Sequence, residues 1–204
     1  MGSVGYGRLT APGAIVMGTK EVPMDIAALC GSLRPGSYNQ ALLETAIVRG
    51  ERFGLHIVQV SIEGFPAFSQ ELESNLPASV VAAKELVSSA DCVMLVTPEY
   101  NHGVPGVLKN AVDWLSRPFG DLTLRHRPMA LMGASTGYAG SLRAQLAWRQ
   151  MWYFFDAPVF SVAEMTLSFA ARMVGENGLV VDPGALERLD LYLEKLAQWL
   201  EEQR

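Results

Sequence analysis

The sequence has little cysteine, and its spacing forms no recognisable pair. Its 204 residues include two cysteines and three histidines. No CxxC pair and no Cys/His cluster points to a metal centre. Cys30 and Cys92 each sit in an apolar stretch, "DIAALC" and "CVMLVT", where a buried free thiol is expected. A surplus of positive charge is also missing. Lys and Arg number 16 against 21 Asp and Glu, a formal net charge of -5, so no basic surface is expected for a nucleic-acid backbone or an anionic membrane. No apolar run approaches the roughly 20 residues a membrane helix needs. The short "APGAIVMGTK" lacks the flanks of a signal peptide, and a cytoplasmic location is expected. Two nucleotide fingerprints are absent as well. There is no GxGxxG, and the glycine loop after the first apolar run carries Ser37-Tyr38 where a Walker loop has Lys-Ser/Thr. Phosphoryl transfer is therefore not expected.

Half of the chain is hydrophobic and 18% is charged, a balance that fits a globular α/β protein. Residues 1–23 are rich in glycine and small residues, without periodicity, and are read as a flexible N-terminal extension. From residue 24 to 204, continuous apolar runs alternate with helical patterns, giving a single domain. "DIAALCG", "LHIVQVSI", "CVMLVT", "PMALMGAST" and "PVFSVAEM" read as five strands. Helical spacing fills the gaps, in "NQALLETAIVRGERFG", "PASVVAAKELVSSAD", "VPGVLKNAVDWLS" and "SLRAQLAWRQMWYFFDA", and "DPGALERLDLYLEKLAQWLEEQ" closes the chain. "LHIVQVSI" alternates, but near-continuous apolar strands separated by helices indicate a parallel sheet covered on both faces, a doubly wound α/β fold. Ligands of such sheets bind beyond the carboxyl ends of the strands. Unusual polar residues gather there after the first, third and fourth strands.

The first of these loops is "GSLRPGSYNQALL". Gly31 and Gly36 permit tight turning, and Ser32, Ser37 and Asn39 offer short polar side chains. Arg34 adds a fork of donors that matches phosphate oxygens. The following helix aims its N-terminal amides into the same space. Without the lysine of a Walker loop, this is a cradle for a terminal phosphate monoester; its alternative is an ordinary turn with Ser37 or Asn39 as helix cap. The second loop, "TPEYNHGVPG", begins where Pro98 ends strand pairing. It leaves Glu99, Tyr100 and Asn101 in an irregular stretch suited to the polar edge and flat face of a heteroaromatic ring. Lys109 and Asn110, just beyond, are read as fixing the loop or its helix.

Together, "GSLRPGSYNQALL" and "TPEYNHGVPGVLKNAVDW" closely resemble the NADPH-dependent FMN reductase family, whose members include quinone, azo-compound and chromate reductases. "GASTGYAGSLRAQ" and "FPAFSQELE" add weaker support, so the likeness runs from about Asp25 to Phe160. It implies a flavodoxin-like five-stranded fold and non-covalent FMN, with NADPH or NADH as electron donor and a small-molecule acceptor. Ser32, Arg34, Ser37 and Asn39 would hold the phosphate. Pro98, Glu99, Tyr100 and Asn101 would line the ribityl chain and ring, and Ser135 would belong to a third flavin loop. Family members are typically homodimers or homotetramers. Thr136-Gly137-Tyr138 departs from the more usual proline- or glycine-rich form of that third loop, and Tyr138 is expected to narrow the substrate side. No protein acid or base is expected to be catalytic, because the flavin carries the chemistry. Glu99 is read as orienting its loop.

Other residues have plainer readings. His102 is a rim residue or a ring contact. His56 is exposed at a strand start. Arg125, His126 and Arg127 form a solvated basic turn, or else meet the phosphate of a nicotinamide dinucleotide. The stripe Trp148, Met151, Trp152, Phe155 belongs to the core or to a subunit interface. The rival to an enzyme is a flavodoxin-type electron carrier with little reductase activity of its own.

Overall fold

A computed structural model describes residues 23–204; the extension expected over residues 1–23 otherwise lies outside the described residues. Five parallel strands form one sheet in the order β2-β1-β3-β4-β5. They are β1 (Met24–Cys30), β2 (Leu55–Gln59), β3 (Cys92–Val96), β4 (Met129–Ala134) and β5 (Met165–Leu167). Five α-helices cover the sheet: α1 (Tyr38–Gly50), α2 (Ala78–Ser89), α3 (Gly106–Leu115), α4 (Leu142–Trp152) and α5 (Pro183–Gln203). This is flavodoxin-like winding, in which the chain reverses direction between β1 and β3.

The alternation of side chains along each strand feeds two cores. Ile26, Ala28 and Cys30 pack with Leu42, Leu43 and Ala46 of α1 and the apolar stripe of α5. Ala27 and Leu29 point the other way, towards α2, α3 and α4. Because both faces are buried, β3 is apolar at every position. Cys30 and Cys92 are free and buried, and burial is the main cause raising both thiol pKa values. Neither is a thiolate nucleophile near neutral pH.

The fifth strand departs from its sequence reading. Val159 bridges to Met129, and Met165 then pairs with Met132. Six residues of the fifth segment thus span three of β4. The extra length at "SVAE" leaves the sheet, so "PVFSVAEM" contributes one bridge and only the first residue of β5. Pro77, which opens the helical stretch "PASVVAAKELVSSAD", stands just before α2 as its N-cap.

A part-buried cluster fastens α1 to α5. Arg49 Nε and Nη2 donate to Asp190, and Arg52 Nη1 approaches the same carboxylate at 3.2 Å. Hydrogen bonding from Arg49 holds the Asp190 carboxyl below its ordinary pKa. A depressed folded value means the stabilisation is present above the unfolded pKa of about 3.9 and is lost as pH falls through the folded value. Asp190→Asn is therefore expected to cost about 1 kcal/mol at pH 7. Urea midpoints of the two proteins should converge as the pH falls from about 4 towards 2, and a gap that persists in acid would contradict the assignment.

Candidate active site

Three loops meet above the carboxyl ends of β1, β3 and β4. The first is residues 31–37. Gly31 lies where an added Cβ would stand 2.8 Å from Pro105 Cγ and 3.0 Å from Pro98 Cδ. The first and second loops can approach this closely only with glycine there. Ser37 caps α1, its Oγ accepting from the amides of Asn39 at 3.2 Å and Gln40 at 3.4 Å. Arg34 is exposed; its guanidinium lies 5.5 Å from the Tyr38 ring centre, and Nη1 donates to Pro35 O at 3.1 Å. Its other donors remain available to a ligand.

Asn39 has a different part from the one its position suggests. Its Nδ2 donates to Ala134 O at 3.0 Å, and its Oδ1 accepts from Ala134 N at 2.8 Å. The side chain is buried and bridges the start of α1 to the end of β4. It fixes the first loop against the third and leaves its amide little capacity for a phosphate. Asn39→Ala would orphan a buried donor and a buried acceptor, costing roughly 2–4 kcal/mol in urea denaturation. Asn39→Asp should cost at least as much, because it sets a carboxylate against the Ala134 carbonyl. Unchanged stability in both variants would remove the bridge from the account.

The second loop leaves β3 through buried Thr97, whose hydroxyl donates to Pro98 O at 2.9 Å and accepts from Trp148 Nε1 at 3.1 Å. Tyr100 and Gly103 then exchange both backbone hydrogen bonds, at 3.1 and 2.9 Å. Between them Asn101 and His102 have φ of 51° and 61°. Two consecutive positive φ values are what a type I′ turn requires. The stretch expected to be irregular is thus a rigid hairpin turn, and it holds the exposed Asn101 and His102 at its tip. The signal was an asparagine at the first central position with a glycine closing the turn. Tyr100 is half exposed, and its hydroxyl reaches Ser32 Oγ at 3.4 Å, joining the first two loops.

Glu99 turns away from open solvent. Its Oε2 accepts from the backbone N–H of Arg143 at 2.9 Å, and its Oε1 from Arg143 Nη1 at 2.8 Å. Ser141 gives α4 no side-chain cap, so Glu99 supplies one from across the crevice. Sequence reasoning missed this pair because its members are 44 residues apart. The third loop holds Ser135, whose Oγ accepts from Gly137 N at 3.1 Å, and exposed Tyr138, which stacks edge-on with Phe169.

Two adjoining cavities occupy the space between these loops. One, of about 290 Å³, is lined by Ser32, Arg34, Ser37, Asn39, Pro98 and Tyr100, with Glu99 and Ser135 at its end. The other, of about 360 Å³, shares Glu99 and Ser135 and adds Asn101, His102, Tyr138 and Arg143. Each lies near the lower end of the roughly 300–1,000 Å³ of small-molecule sites, and they share a wall. All nine residues singled out from the sequence therefore line one crevice. The donors fit a phosphate monoester at one end, and the hairpin and third loop fit a flat ring at the other.

The sequence profile of the NADPH-dependent FMN reductase family matches residues 24–172. The chain belongs to this family. It is 34% identical over 182 residues to a 2-hydroxy-1,4-benzoquinone reductase of Burkholderia sp, covering 89% of this chain and 98% of the relative. It is 35% identical over 176 residues to an NAD(P)H-dependent FMN reductase of Pseudomonas aeruginosa, covering 86% and 94%. Among solved structures, FerB, a flavoenzyme NAD(P)H:(acceptor) oxidoreductase from Paracoccus denitrificans, superposes with a TM-score of 0.81 at 28% identity. That match covers 88% of this chain and 98% of FerB.

Within this FMN reductase family member the remaining sequence readings separate. Trp148 and Trp152 are fully buried in the core, while the next residues along, Tyr153 and Phe154, are 88% and 78% exposed. Arg127 is not a solvated residue: it donates to the carbonyls of Thr123, Ser88 and Ala90, tying down the end of α2. Arg125 lies beside Phe154 in a separate cavity. His56 is exposed, 2.7 Å from Asp25. Asn110 secures the segment after β2, accepting from Phe68 N at 2.8 Å and donating to Pro66 O at 2.9 Å. Lys109 pairs with Asp113 along α3. No helix among the described residues is long and apolar enough to cross a membrane, and they contain no cluster of three or more potential metal ligands.

Proposed function

We propose that the protein is an FMN-dependent NAD(P)H oxidoreductase that reduces quinones and related small acceptors. The observation that carries this reading is the convergence of three strand-end loops on one crevice at the switch point of the sheet. When bound there, FMN supplies the redox chemistry, taking hydride from NAD(P)H and passing the electrons to a quinone, azo compound, free flavin or metal oxyanion. In this reading Ser32, Arg34 and Ser37 hold the phosphate, helped by the amides at the start of α1. Asn39 orders that cradle rather than contacting the anion with its amide.

Pro98, Tyr100 and Asn101 frame the ribityl chain and ring, with the hairpin turn fixing their height. Glu99 holds the hairpin to α4, and Ser135 closes the third side. Tyr138 and His102 stand at the open mouth and set how closely an acceptor approaches. The protein's contribution is positioning, since hydride transfer requires donor and acceptor atoms about 3–3.5 Å apart. A cytoplasmic location belongs to the same reading, supported by two free thiols. So does a homodimer or homotetramer, supported by the exposed Phe119, Tyr153 and Phe154; light scattering on the purified protein tests it.

Purified protein is expected to show a flavin spectrum and to oxidise NADPH or NADH steadily when menadione is added. Reduction of its flavin only through a separate reductase would make it an electron carrier instead. Protein that stays colourless after incubation with FMN would end the flavoprotein reading.

A further inference from the structure

Arg143 breaks a local rule. It lies in the first turn of α4, where the helix dipole favours a negative side chain over a positive one. Departures of this kind concentrate at functional sites. Glu99 answers the charge, but the two groups are not equally visible from the crevice. The Glu99 side chain is 8% exposed and that of Arg143 is 49% exposed. Both carboxylate oxygens are engaged by Arg143, through its backbone N–H and Nη1, while most of the guanidinium N–H groups have no such partner among the described residues. A group in the cavity beside the hairpin therefore meets a guanidinium wall with its counter-charge tucked behind it. Among the residues lining that cavity, Glu99 and Arg143 carry the formal charges, and His102 and Tyr138 are the other titratable groups.

We infer that the Glu99–Arg143 pair sets the reduction potential of the bound flavin, with Arg143 stabilising the negative charge that reduction places on the ring. This rests on FMN occupying the crevice with its ring in the cavity lined by Tyr138, His102 and Arg143. Hydride transfer breaks a C–H bond of the nicotinamide, which becomes a cationic pyridinium. The hydrogen and both electrons form an N–H bond on the flavin, which gains one negative charge. A guanidinium on the cavity wall lowers the free energy of that anion relative to the neutral oxidised ring. Glu99 opposes it, with both its oxygens turned to Arg143 rather than into the cavity. The residues are positioning residues for charge rather than for protons.

The test is the ratio of affinities for reduced and oxidised FMN, from anaerobic titrations or from the midpoint potential against reference dyes. Arg143→Gln keeps the backbone N–H that Glu99 caps, and should lower the reduced-to-oxidised affinity ratio about three- to tenfold. Tenfold corresponds to a fall of about 30 mV for a two-electron couple. Glu99→Gln retains an acceptor for that amide but removes the opposing charge, so its ratio should move the other way. Arg143→Lys should stay near the parent. A purely structural role would weaken both redox forms alike and leave the ratio unchanged in every variant. Unchanged ratios, or shifts of the same sign in Arg143→Gln and Glu99→Gln, would overturn the inference while FMN binding stands. A parent protein that takes up no FMN would overturn both, and an absent flavin spectrum tells that case apart.

Discussion

Arg34→Glu is expected to purify colourless, with its affinity for FMN lowered by at least a hundredfold. Among the described residues Arg34 makes one hydrogen bond, to its neighbour Pro35, and it lies over Tyr38 at an exposed position. The fold does not lean on it, so stability should change by no more than about 0.5 kcal/mol. Its donors are free for an anion beside the Ser37 cap. Losing a charge-assisted contact removes roughly 1.5–3 kcal/mol, and the new carboxylate adds repulsion against a dianionic phosphate. Each 1.4 kcal/mol is a factor of ten in affinity. Quenching of FMN fluorescence on titration reads the result directly. Stoichiometric FMN retained by a folded Arg34→Glu protein would remove the cradle from the first loop.

Trp148→Ala should cost about 3–5 kcal/mol of stability, the range for emptying a large buried aromatic site. That is a large share of the 5–15 kcal/mol typical of a whole domain. The indole is fully buried between α4 and the sheet, and its Nε1 donates to Thr97 Oγ1 at 3.1 Å. Thr97 leads from the end of β3 into the second loop, so the cavity left behind also frees the base of the hairpin. Trp148→Phe separates the two effects. It keeps most of the packing and removes the hydrogen bond, for a smaller loss of about 1–2 kcal/mol. Chemical denaturation checks the first effect and FMN affinity the second. An alanine variant as stable as its parent would mean that the helix-to-loop buttress contributes nothing.

Much of the fold could be read from the chain because it is written in local patterns. Continuous apolar strands and intervening helical periodicity gave the parallel sheet, and the polar loops after the first, third and fourth strands marked the crevice. The fifth strand was displaced because apolar character extends from Val159 to Met165 without marking where pairing with β4 lapses. The residues singled out line one crevice, but the contacts among them were hidden. Asn39 and Ala134 are 95 residues apart, and Glu99 and Arg143 are 44 apart. Such pairings depend on how the three loops are brought together by the sheet, and no spacing rule encodes them. The Asn101–His102 turn was closer to legible, since asparagine tolerates positive φ and Gly103 ends the turn. Arg127 misled for the opposite reason. A basic cluster looks solvated in sequence, whereas the carbonyls at the end of α2 receive this guanidinium.

The proposed chemistry requires a flavin phosphate and its ring to come to rest in this crevice. A crystal structure of the protein grown with FMN tests this directly. The phosphate should lie against Ser37, Ser32 and the Arg34 guanidinium at the start of α1, with the ring between the Tyr100–Gly103 hairpin and the loop from Ser135 to Tyr138. Density for the ring or its phosphate elsewhere on the molecule, with these loops bare, would contradict it.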